Sequence, residues 1–136
     1  MKFLQRIAIL FFAAYMLNSS CGNKSNPAPP PPPSEQPIAF THNAGSNTQN
    51  PGSSLSFTVT LTSTIPSGGI KVEVSTKEEA TNNTVGSNSS VNSSSATVNQ
   101  NITGLPRQVW CITTIKVSSV STPSNSNTQI FRVVYK

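Results

Sequence analysis

The chain contains no aspartate, a single histidine and a single tryptophan, and its only acids are Glu35, Glu73, Glu78 and Glu79. A nucleophilic triad needs an imidazole or equivalent base held by a second group. His42 is the only imidazole on offer. It falls at the end of a predicted first strand, beside an Asn/Gly-rich loop, where a solvated side chain is expected. Paired-carboxylate catalysis needs two acids across a cleft. Glu35 lies in a Pro-rich stretch, Glu73 on the solvent face of a predicted strand, and Glu78 and Glu79 point to opposite sides of an extended chain. Zinc needs Cys/His clusters and calcium needs several carboxylates in one short loop; neither spacing occurs. Gly68-Gly69 has no predicted helix behind it and so makes no phosphate loop. The expectation is a non-enzyme with no catalytic residues, no metal and no cofactor.

Charge of either sign is scarce, at 10% of residues, and the formal net charge of +5 is spread without a cluster. Nucleic-acid binding wants a basic stripe with aromatic platforms, so no nucleic-acid partner is expected. Two cysteines, Cys21 and Cys111, cannot make a disulfide framework. If Cys21 is modified, Cys111 has no partner and reads as a small buried hydrophobe. If Cys21 is free in an oxidising compartment, the two could pair.

What the chain does have begins at its amino end. Lys2 and Arg6 precede an apolar run, Ile7 to Leu17, which leads through Asn18, Ser19 and Ser20 to Cys21. A positive start, a short apolar centre and small residues make an export signal. Eleven apolar residues fall short of the roughly 20 that a spanning helix needs. The stretch resembles a bacterial lipoprotein signal, in which the cysteine becomes the lipidated first residue of the mature chain. The place three before the cysteine, where that family usually has Leu, holds Asn18; Leu17 stands one residue further back. The resemblance implies a signal peptide over 1–20, acylation at Cys21 and a lipid bilayer as partner. It places the protein in the bacterial cell envelope. Gly22, which is not an acidic retention mark, points by analogy to the outer membrane.

Residues 21–37 then form a tether. Pro27-Ala28-Pro29-Pro30-Pro31-Pro32-Pro33 favours polyproline II and a semi-rigid spacer. At about 3.1 Å per residue, Pro27 to Pro37 reaches roughly 34 Å.

From residue 38 onward the pattern is β. Ile38 and Phe40 begin a short strand, and the Asn, Gly, Ser and Pro of 43–54 read as loop. Leu55, Phe57, Val59 and Leu61 alternate strictly with Ser and Thr, as a half-buried strand does. Pro66-Ser67-Gly68-Gly69 breaks the chain before Ile70, Val72 and Val74. Thr81 to Ser95 hides an edge strand or is a loop. Ala96, Val98, Gln100 and Ile102 resume the alternation. Val109, Cys111, Thr113, Ile115 and Val117 share one face of the next strand, with Trp110, Ile112, Thr114 and Lys116 on the other. Phe131, Val133 and Tyr135 face inward at the end, opposite Ile130, Arg132 and Val134.

Six or seven short strands with turns between them and no helical period predict an all-β fold, a single immunoglobulin-like β-sandwich over 38–136. The passage from Ile102-Thr103-Gly104-Leu105-Pro106 into the long Val109–Val117 strand resembles the E-to-F passage of fibronectin type III domains. That family has a Leu before the turn and a Tyr opening the next strand. Leu105 fits, Cys111 stands in the tyrosine's place, and the family's early core Trp is missing. The likeness spans about the last third of the chain and implies a sandwich, not a ligand.

Trp110 and Ile112 lie opposite the core set of their strand. An indole on a sheet face can stack on a sugar or anchor a protein, so the two are candidate ligand-binding residues for a glycan or protein partner. The competing expectation is that the 81–95 excursion, or a second chain, covers them.

Overall fold

The computed structural model describes residues 34–136. The expected signal peptide, the lipidated Cys21 and the proline run fall outside the described residues. Eight strands form: β1 (Phe40–His42), β2 (Asn47–Asn50), β3 (Leu55–Leu61), β4 (Ile70–Glu78), β5 (Ser89–Ser93), β6 (Thr97–Ile102), β7 (Trp110–Ser119) and β8 (Ser126–Tyr135). Among the described residues there is no α-helix.

The strands make two sheets, one ordered β1-β3-β6 and the other β2-β8-β7-β4-β5. All neighbours are antiparallel except β2, which runs parallel to β8. Phe57 of β3 and Phe131 of β8 meet edge-on across the two sheets, with ring centroids 5.4 Å apart. One buried cluster joins both sheets. The fold is therefore the all-β sandwich that the alternation predicts.

Period-two alternation builds each layer. In β3, Phe57, Val59 and Leu61 are buried while Ser56 faces solvent. In β7, Cys111, Thr113, Ile115 and Val117 are all fully buried. Thr113 meets its hydrogen-bonding need inside the core through Thr76, at 3.0 Å between hydroxyls. Leu105, in the passage between β6 and β7, is buried as well. Cys111 is a free thiol in the core, and burial first, then the Glu78 carboxylate, pushes its pKa up. A protonated, enclosed thiol is inert, which fits the reading of Cys111 as a small hydrophobe.

The structure changes one expectation and sharpens two. The 43–54 stretch is not all loop: Asn47–Asn50 is β2, bonded to β8. Its pairing uses backbone groups alone, so a polar edge strand leaves no alternation to read. The 81–95 excursion resolves into β5, an edge strand on β4. Val134, expected on the outer face of β8, is on that face yet buried, because Trp110 is its cross-strand neighbour.

The chain enters at one pole. Asn125 donates through Nδ2 to Glu35 and to the Gln36 carbonyl (3.2 and 2.9 Å), and its Oδ1 accepts from the Ile38 amide (3.0 Å). Asn127 donates to the Ile38 carbonyl and Gln129 to that of Phe40. Alternate amide side chains leading into and along β8 thus imitate a strand ladder beside the incoming arm. Ser121 caps the arrangement on Glu35 at 2.6 Å, and such bonds hold that carboxyl below its usual pKa. The Pro66–Gly69 turn lies at this pole, closed by a 2.8 Å bond from the Gly69 amide to the Pro66 carbonyl. Gly69 has φ +81, which a side chain would resist. The loops 51–54, 79–88 and 103–109, with Lys136, gather at the opposite pole.

Candidate functional site

Strand parity sends Trp110 and Ile112 to the outer face of the five-stranded sheet, and register decides their neighbours. Trp110 pairs with Val134, and Ile112 lies between Lys77 of β4 and Arg132 of β8. Both are half-buried. Arg132 reaches diagonally to Trp110, its guanidinium carbon 4.6 Å from the ring centroid, a cation–π contact. Glu79, just beyond β4, forms an ion pair with Arg132 and is placed there by the bond from its amide to the Trp110 carbonyl, 2.9 Å. The patch is Trp110 flanked by an Arg132–Glu79 pair, with Ile112 as an apolar neighbour, near the pole opposite the arm.

Two features decide what this patch can do. The guanidinium occupies one face of the indole, so a sugar stacking there would compete with Arg132. The Arg132 and Glu79 side chains are 43% and 38% exposed, so the ion pair is solvated and weakly stabilising but open to rearrangement by a partner. Trp and Arg side by side on a sheet face are the residue types that most often anchor protein contacts. The 81–95 excursion pairs along the β4 edge: Thr84 bridges Lys77, Ser89–Ser93 bonds β4 further on, and Val85 turns into the core.

No protein-family model matches the chain, and no curated protein matches it in sequence. The site therefore stands on its own geometry.

The remaining polar groups are scattered. His42 lies on the inner side of β1, with its ring 5.1 Å from Phe131 and Nδ1 buried without a partner. It is thus not the solvated loop side chain expected; partial burial lowers its pKa. Glu73 bonds Lys71 at 2.7 Å on the outer face, which lowers its pKa. Glu78 turns to Thr81 and Asn83 while Glu79 goes to Arg132, so the adjacent pair does diverge. Among the described residues no three metal-ligating side chains converge. Sequence parity put Trp110, Ile112 and Arg132 on outer faces, but not against one another. The Arg132 contact needs the β7–β8 register, and Glu79 joins from a loop with no periodicity to read.

Proposed function

We propose that this protein is an exported bacterial lipoprotein, held in a membrane by an acylated Cys21 and displaying its β-sandwich for binding at the cell envelope. The observation that carries the reading is the amino-terminal layout: Lys2 and Arg6, the apolar Ile7–Leu17, then Ser19-Ser20-Cys21 and a proline run. Several acyl chains on one cysteine meet the need for more than one anchoring signal. The domain supports display. Its arm arrives at one pole, while the Trp110–Arg132–Glu79 patch sits near the other, where a tethered domain presents its surface to partners. The envelope role is non-catalytic, and the patch is the contact surface.

Intact mass of the chain purified from bacterial membranes, beside a Cys21→Ala variant, tests this. The expected mature chain starts at Cys21 and carries added acyl mass that the variant lacks. A soluble, unacylated product would sink the lipoprotein reading.

A further inference from the structure

The five-stranded sheet ends on β5, which is bonded to β4 on one flank and meets no strand on the other among the described residues. Sheet edges are commonly shielded by charge, proline or a bulge. β5 has none of these. Its sequence, Ser-Ser-Val-Asn-Ser, is uncharged, and its register with β4 runs unbroken. Val91 pairs with Val72 and so points to the inner side of the sheet, yet it is 40% exposed where Val72 is 0%. Ser89, on the same side, is tied to Gln100 of β6 at 2.7 Å. Val91 is left as an inward-facing apolar side chain without a lid.

The strand is also its own complement. Antiparallel pairing with a second copy, about a two-fold axis through Val91, sets Val91 against Val91 and Ser89 against Ser93. On the outer face Ser90 meets Asn92. Beside Ser90 stands Glu73, and beside Asn92 stands Lys71, so each row across the joined sheets ends in Glu73 of one copy and Lys71 of the other. No row sets like charge against like.

We propose that β5 is a self-association edge, pairing antiparallel with β5 of a second copy to join two five-stranded sheets into one. Five residues per copy bury far less than a stable free-standing interface. The dimer is therefore weak and reversible, and it is favoured wherever chains are crowded.

The test uses full-length chains carrying Val91→Cys or, separately, Ile130→Cys, under mild oxidation. Ile130 is 65% exposed on β8, away from the β5 edge, and supplies an accessible control thiol. The unmodified chain reports the background from its native cysteines. A disulfide-linked dimer several-fold stronger for Val91→Cys than for either comparison is expected; equal yields overturn the proposal. Sedimentation of the otherwise native chain gives an independent reading. Val91→Lys, tolerated at so exposed a position, is expected to weaken self-association by about tenfold or more by setting two cations face to face. An unchanged association constant, or no association in the native chain at any concentration, overturns it too.

Discussion

His42 has a ring that leans on Phe131 and an Nδ1 closed off from solvent without a hydrogen-bond partner. Burial disfavours the imidazolium, so its folded pKa lies below the ordinary 6.5. The sign follows from proton uptake. Above about pH 6.5 both folded and unfolded chains carry neutral imidazole. As pH falls below that value the unfolded chain takes its proton first, so stability declines until the folded ring is protonated as well. Glu35 and Glu73 have pKa values lowered from 4.5, and their losses come only in more acid solution. Urea unfolding between pH 7 and 5 is therefore expected to show a decline that His42→Phe flattens. An equal slope in the variant would mean that another group titrates there. The histidine also shows where residue-level reading stops. Its place at a strand end is legible, but its inward turn depends on Phe131, which lies 89 residues further on.

Elements were legible where burial alternates. β3 and β7 announce themselves because every second side chain enters the core, and parity alone put Trp110 and Ile112 outside. β2 and β5 carry no such mark. Each is an edge strand, held on one flank by backbone bonds that any sequence can make, and Asn-Thr-Gln-Asn or Ser-Ser-Val-Asn-Ser reads as loop. What anchors β2 is Asn50, buried, with Nδ2 donating to the Ser54 carbonyl (2.8 Å) and to that of Gly52. Those bonds tighten the link from β2 to β3. Asn50→Ala removes the donor from two loop carbonyls, those of Gly52 and Ser54, and is expected to cost about 0.5–1.5 kcal/mol. Hydrogen exchange locates the effect: the Arg132 amide, bonded to the Ser46 carbonyl at 2.9 Å, exchanges faster, while β3–β6 keeps its protection. Uniform acceleration through both sheets would mean that Asn50 acts on global stability and not on β2.

At the scale of the molecule the question is where the tether ends and the domain begins. Composition alone puts the change at Ile38, where alternation starts, because proline and polar residues before it offer nothing to bury. The contacts run further back. Asn125 holds Gln36, and Ser121 with Asn125 holds Glu35, through side chains of the turn between β7 and β8 that lie almost ninety residues away. Such long-range bonds leave no local pattern, so no reading of residues 34–37 alone could find them. Their consequence is structural: residues 35–38 are held to the sandwich, so the domain begins before the alternation does. A chain beginning at Ser34 is accordingly expected to unfold at the temperature of the full-length protein. One beginning at Ile38 loses the Asn125–Gln36 bond, worth about 1 kcal/mol, and is expected to melt about 4–8 °C lower, the shift for a domain of this size. Calorimetry on the two truncations decides it. Equal melting temperatures would mean that the arm lies on the domain without bearing on its stability.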